Sequence, residues 1–205
     1  MTIAGFKLAT SGASEVGVAS HFFEDRGLGR SVKVLPGEFF VSDEEIAIQT
    51  VLGSCIAACL WDGQRKLGGM NHFMLPDGNA DEAASGRYGV FAMELLINEL
   101  LKRGASKPAL KAKVFGGGAV MRGFTSLNVG EKNARFVESF LATERIPIVS
   151  RDLNDVYPRK VVFFPSSGRA LMKKLPVTDQ AIVAEEQRYE KTLAKVPKAG
   201  DVELF

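Results

Sequence analysis

Apolar residues fall in short bursts through the first half of this chain and in helical stripes further on. Glu38-Phe39-Phe40-Val41-Ser42 and Ile46-Ala47-Ile48-Gln49-Thr50 are rich in strand-favouring residues and are parted by acidic turn residues. Ile56 to Trp61 is a continuous apolar run stopped by Asp62-Gly63. Lys66 to Leu75 reads as the next strand, ending at Pro76-Asp77-Gly78. Together Ile56 to Leu75 predict a hairpin, although pairing register cannot be read from one sequence. Gly78 to Arg87 is small and polar and reads as a loop. Tyr88 to Arg103 predicts a helix, with Val90, Met93, Ile97, Leu100 and Leu101 as its apolar stripe. Lys102 and Arg103 suit its carboxyl end and Gly104 its termination. Leu110 to Phe115 reads as a strand running into Gly116-Gly117-Gly118. Asn128 to Glu131 resembles a capped helix start, followed by inward Ala134, Val137, Phe140 and Leu141. Ile146 to Ser150 is a further strand, and Arg159–Phe164 and Arg169–Lys174 flank a turn at Pro165 to Gly168.

The two ends differ from this middle. Residues 1–30 are mixed and rich in Gly and Ser, a variable lead-in with a short ordered piece around His21-Phe22-Phe23. From Asp179 the chain is charged and alanine-rich, which predicts a peripheral helix that frays before Phe205. Strand-rich and helical blocks do not alternate regularly. The expectation is therefore an α+β fold in one domain, a mixed β-sheet with helices packed outside. Its divisions are residues 1–30, 31–176 and a tail at 177–205.

Composition narrows the function classes. The chain has 205 residues, 46% hydrophobic and 24% charged, with a net charge of +2. That charge gives no support for nucleic acid or a membrane surface as the main partner. No secretory leader and no apolar stretch of membrane-spanning length is visible, so membrane insertion is not expected. A cytoplasmic, reducing location follows, in which a thiol stays reactive.

The chemistry-bearing residues are few. The chain holds two cysteines and two histidines. Cys55 follows Gly53-Ser54, a pair that permits a tight turn aiming several N–H groups at one point. A nucleophile there would have oxyanion donors beside it, its own N–H among them. Cys59 sits inside the apolar run and reads as core. The Cys-x-x-x-Cys spacing is not that of a zinc site, so no metal is expected. His72 lies among Met70, Phe73, Met74 and Leu75. Alternation would put Met70, His72 and Met74 on one face, with Asn71 and Phe73 on the other. His21, in the lead-in, is the only competing imidazole. A base also needs a third group to orient it; Thr50 and Asn71 are near in sequence, and spacing places neither. Gly116-Gly117-Gly118 fails the dinucleotide pattern because Met121 takes the third glycine's place. It reads as a strand-end turn or a close backbone approach.

Several of these pieces, in order, resemble the CheD family, the chemoreceptor glutamine deamidases of bacterial chemotaxis. They are Leu52-Gly53-Ser54-Cys55-Ile56-Ala57-Ala58-Cys59, Met70-Asn71-His72-Phe73-Met74-Leu75-Pro76, Arg87-Tyr88, Lys113 to Ala119, Asn128 to Asn133 and the late hairpin through Gly168. The resemblance implies a layered sandwich fold, with residues 31–176 as the catalytic domain. It implies a cysteine-dependent protein-glutamine glutaminase that converts receptor glutamines to glutamate with release of ammonia. Cys55 and His72 match the family's cysteine and histidine. The third member is a threonine. Thr50 is the only threonine in its segment, but in some relatives that residue lies one position earlier, where this chain has Gln49. A one-residue offset in a strand reverses the facing direction. Gly53 and Ser54 would supply backbone oxyanion donors, and no cofactor is required. The implied partners are the cytoplasmic domains of methyl-accepting chemotaxis receptors, with a CheC-type phosphatase as a candidate. The family often has Gly-Gly where this chain has Asn154-Asp155, so a loop of different shape is expected there, at the substrate rim. Two rivals stand beside this reading: a non-catalytic module of the same fold that binds receptor or phosphatase, and a thiol amidohydrolase on another substrate.

Overall fold

A computed structural model describes residues 17–76, 82–119, 127–176 and 180–193. The apolar bursts of the first half become strands β1 (Gly17–Val18), β2 (His21–Asp25), β3 (Gly29–Lys33), β4 (Glu38–Ser42), β5 (Ala47–Leu52), β6 (Ile56–Asp62) and β7 (Leu67–Asn71). Helix α1 (Glu82–Lys102), strand β8 (Leu110–Gly116), helix α2 (Leu127–Thr143), strands β9 (Ile148–Leu153), β10 (Arg159–Phe164) and β11 (Arg169–Lys174), and helix α3 (Gln180–Leu193) follow. The strands form two sheets, ordered β1-β4-β7-β6-β8-β9 and β11-β10-β5-β3-β2. Both are mixed: β8–β9 and β3–β5 pair parallel among antiparallel neighbours.

Strand β6 explains the layering. Ile56, Ala58 and Leu60 pack with α1 and α2, whereas Cys55, Ala57, Cys59 and Trp61 pack with β5 and β10 of the second sheet. A strand buried on both faces has no polar alternation, which is why Ile56 to Trp61 reads as an unbroken apolar run. The order of layers is helices, first sheet, second sheet. This is the expected α+β sandwich, with α1 and α2 on the outer face of the first sheet. On α1, Ala92, Met93, Leu96, Ile97 and Leu100 make the buried stripe.

Several boundaries differ from the expectation. Helix α1 starts at Glu82, so residues 82–87 are helical, not loop. The lead-in boundary at residue 30 falls inside β3, whose pairing to β2 and β5 builds residues 17–33 into the second sheet. The Asn154-Asp155 loop takes an uncommon backbone. Both residues have positive φ, 64° and 72°. Asn and Asp are the non-glycine residues that tolerate this region best, so the pair keeps a backbone that Gly-Gly adopts readily. Asn154 N–H donates to Gly116 and Ala119 N–H to Asp155, bracing the glycine triplet from behind. Buried Arg159 ties the same loop down through the Asp152 carboxylate at 2.5 Å and the carbonyls of Asn154 and Tyr157. Finally, α3 is a helix as expected but is not peripheral. Leu193 enters the core between the sheets, and Glu186 is 3% exposed.

Candidate active site

The turn between β5 and β6 is held from one side so that its donors face the other. Its three carbonyls all have partners: Gly118 N–H donates to Gly53 at 2.7 Å and Gly117 N–H to Cys55 at 2.9 Å. Asn133 Nδ2 of α2 donates to the Ser54 carbonyl at 2.9 Å. The close approach demands glycine at residue 116, where φ is +118° and a Cβ would lie 2.0 Å from the Cys55 carbonyl oxygen. The glycine triplet is thus the backbone buttress of the cysteine turn. With the carbonyls fixed behind, the N–H groups of Gly53, Ser54 and Cys55 converge in front, a nest of the kind that binds anions.

That nest is filled. Glu186 Oε1 accepts from Gly53 N–H at 2.9 Å and Cys55 N–H at 3.0 Å. Glu186 Oε2 accepts from Ser54 N–H at 3.0 Å and from the Ser54 hydroxyl at 2.9 Å. Every backbone polar group of Gly53, Ser54 and Cys55 therefore has a partner. Sequence reasoning missed Glu186, one of two adjacent glutamates in a charged helix some 131 residues from Cys55. Asn133 and Tyr88 lay inside motifs already singled out but carried no stated role.

His72 follows β7 and is brought to the cysteine by a bridge between Ile56 and Phe73. In that antiparallel register Cys55 lies opposite Met74, and His72 is its diagonal neighbour on the same face. The faces divide as alternation requires: Met70 and Met74 join Cys55 between the sheets, and Phe73 joins the helical side. Asn71 also faces the helices. Its side chain accepts from Ala58 N–H and donates to the Ala92 carbonyl, so it does not orient the imidazole. His21, exposed on β2, is not part of this cluster.

Thr50 is the residue that meets the ring, with Oγ1 2.8 Å from His72 Nδ1. Thr50 Oγ1 also donates to the Val34 carbonyl at 2.7 Å. A hydroxyl has one proton, so spending it on Val34 leaves Oγ1 to accept from an Nδ1–H. This assigns the tautomer: Nδ1 carries the proton and Nε2 carries the lone pair. Among the described residues, His72 Nε2 is the buried side-chain polar atom without a hydrogen-bond partner. Gln49 faces away, toward Asp25 and Ser31, so of these two neighbours it is Thr50 that meets the imidazole.

The electrostatics follow from enclosure. Cys55 is 0% and His72 2% exposed. Burial pushes the His72 pKa from its ordinary 6.5 down to about 4, against the opposing hydrogen bond from its Nδ1–H to the Val34 carbonyl and with help from the Lys33 charge. Burial also pushes the Cys59 thiol well up, consistent with a core residue. Tyr88 and Tyr189 share a hydroxyl–hydroxyl hydrogen bond near Cys55, and burial, the largest cause, raises both. A stability prediction follows from His72. Its folded pKa lies below the unfolded one, so the unfolded chain takes up that proton first. Stability should fall as pH drops below about 6.5, keep falling to about 4 and then level, a loss of about 3 kcal/mol. Urea unfolding across this range should show a shallower pH slope in His72→Gln than in wild type; equal slopes contradict the assignment.

The chain resembles known proteins over nearly its whole length. The family model described as CheD, chemotactic sensory transduction, matches residues 74–174, a span holding Tyr88, the glycine triplet and Asn133. The relatives extend the match upstream through Cys55 and His72. One, named probable chemoreceptor glutamine deamidase CheD 1, of Albidiferax ferrireducens, is 56% identical over 192 residues, covering 92% of this chain and 82% of that one. Proteins named probable chemoreceptor glutamine deamidase CheD from Herminiimonas arsenicoxydans and Thiobacillus denitrificans are each 52% identical. They cover 91% and 94% of this chain, and 95% and 98% of their own lengths. A solved structure of Bacillus licheniformis hypothetical protein YfiH covers 70% of this chain and 64% of that chain at TM-score 0.38 and 13% identity, too remote to bear on the fold. On the strength of its curated relatives, this chain belongs to the CheD family.

Proposed function

We propose that this protein hydrolyses glutamine side-chain amides of chemoreceptors to glutamate, with Cys55 as nucleophile, His72 as base and acid, and Thr50 as its orienting partner. The observation that carries the proposal is the relay from His72 Nδ1 through Thr50 to Val34, which leaves Nε2 open on the face that holds Cys55. Nε2 takes the thiol proton, and the thiolate adds to the carboxamide carbon. The amide oxygen becomes an oxyanion held by N–H groups of the Gly53-Ser54-Cys55 turn. The imidazolium returns its proton to the nitrogen, the C–N bond breaks and ammonia leaves. Water, deprotonated by Nε2, adds to the thioester. The second oxyanion collapses, the C–S bond breaks, and glutamate leaves while Cys55 regains its proton.

Relatives named as chemoreceptor glutamine deamidases support the substrate class. No described helix is long and apolar enough to cross a membrane. We place the reaction in the reducing cytoplasm, where Cys55 stays a thiol. The family resemblance extends the proposal to a CheC-type phosphatase as a binding partner. The catalytic unit in this proposal is residues 31–176 with the strands and helix that flank it.

The test is a receptor cytoplasmic fragment incubated with the protein and followed by peptide mass spectrometry. A gain of about 1 Da at particular glutamines, the amide-to-acid change of this covalent route, is expected. An unchanged fragment, or equal activity on free glutamine, would count against a receptor deamidase. The orienting role has its own test. Thr50→Val removes the hydroxyl and frees the ring, which should lower kcat by roughly 10–100-fold, part of what a positioned base supplies. KM should barely move, and Thr50→Ser should restore most of the rate. If Thr50→Val keeps wild-type kcat, the relay does no orienting.

A further inference from the structure

The anion in the nest is a glutamate side chain, the same group that deamidation of glutamine produces. We propose that α3 is a built-in product mimic, seated in the groove that a substrate helix must use, so that α3 and substrate compete for one site. The proposal rests on the deamidase reading above and deepens it by naming how the site is covered and what shape of segment it takes.

Three observations point the same way. The first is chemical. Glu186 Oε1 takes the Gly53 and Cys55 N–H groups, the donors an oxyanion would use, and Oε2 takes the Ser54 N–H and hydroxyl. A carboxamide nitrogen has no lone pair to accept the Ser54 N–H. The nest as occupied therefore prefers carboxylate to carboxamide, product to substrate.

The second is access. With α3 in place both Cys55 and His72 are buried, so a folded protein substrate cannot reach the thiol.

The third is the seat itself. Glu186, Tyr189 and Leu193 lie three and seven residues apart, one face of a helix, the spacing by which a helix anchors in a groove. Tyr189 bonds the Tyr88 hydroxyl and packs so closely on Gly37 that a Cβ there would lie 2.8 Å from its hydroxyl oxygen. Leu193 closes the row in the core between the sheets. Arg188, Lys191 and Thr192 on the other side are exposed, so α3 lies over the site and is not threaded through the core. Its seat describes the segment that would displace it: a helix carrying the reactive glutamine, a hydrogen-bonding aromatic or polar residue three positions on, and an apolar residue seven positions on.

The experiment uses the full-length chain. Glu186→Gln places a glutamine on the helix that already docks at Cys55. It should convert itself to glutamate at residue 186, gaining about 1 Da with water consumed and ammonia released by the covalent route. The conversion should disappear in Glu186→Gln with Cys55→Ala. The double variant Glu186→Ala with Tyr189→Ala loosens the helix. Its Cys55 should be alkylated by iodoacetamide at least about tenfold faster than in wild type, as expected when a buried thiol becomes accessible. Circular dichroism and thermal melting check that both variants stay folded. The proposal is overturned if the Glu186→Gln variant keeps its introduced amide while the same sample deamidates a receptor fragment, or if the loosened variant alkylates no faster than wild type. If no variant deamidates any receptor, the deamidase reading has failed, and the alkylation rates alone decide whether α3 covers the thiol.

Discussion

Cys55→Ala should abolish receptor deamidation, a loss of roughly 10⁴-fold or more, and His72→Ala should lose nearly as much. Residues that act as one unit fall together, so the double variant should be scarcely worse than either single one. The reason lies in what each atom does in the proposed mechanism. Alanine at residue 55 leaves the nest and the fold intact but provides no sulfur to bond the amide carbon. Alanine at residue 72 leaves the thiol but removes Nε2, which takes its proton in the proposed mechanism and which no other described group engages. Cost to folding should be small for Cys55→Ala and about 2–5 kcal/mol for His72→Ala, which leaves a cavity where a buried ring bonded Thr50, and both keep the turn's hydrogen bonds to Gly117, Gly118 and Asn133. Measured kcat/KM on a receptor fragment, with unfolding curves for each variant, separates lost chemistry from lost structure.

Gly116→Ala should be the most damaging change among residues that do no chemistry. It would place a Cβ 2.0 Å from the Cys55 carbonyl at a φ of +118°. Left-handed strain costs about 1–3 kcal/mol by itself, and a contact this short must also push backbone apart. A total of about 4 kcal/mol or more is expected, in the range reserved for named structural faults. The atom displaced is the carbonyl of the nucleophile's own residue. Any molecules that fold should therefore hold the thiol out of line, and an error of about 1 Å can cost about a hundredfold in rate. Chemical denaturation measures the first effect and kcat of the folded fraction the second. A variant with wild-type stability and kcat would show that the glycine triplet does not brace the turn.

The parts of this site that the sequence made legible are the local ones. The Gly53-Ser54 turn before an apolar run, and a histidine placed one hairpin later, follow from short-range pattern. Alternation from Met70 to Met74 put His72 on the face where Cys55 now lies. What stayed hidden depended on register or on distance along the chain. Thr50 and Gln49 were separable only once β5 was seated between β3 and β10. That pairing turns Ile48, Thr50 and Leu52 toward the first sheet and Gln49 toward Asp25. The glycine triplet was recognisable as a close approach, but nothing in its own residues names the cysteine turn as the backbone it approaches. Glu186 left no local signal, because a buried carboxylate in a charged helix looks like any solvated one until its partners are in view. The tail consequently looked peripheral, although it carries the group that fills the anion nest.

In the proposed reaction the amide is opened through a covalent bond to Cys55. Acid-quenched intact-mass spectrometry of the protein mixed with a helical receptor peptide would trap that bond. A transient species is expected at the sum of the two masses less about 17 Da, the ammonia lost on forming the thioester. The species should map to Cys55 and be absent in Cys55→Ala, which should not turn over. Deamidation by Cys55→Ala at the wild-type rate would rule out the covalent route.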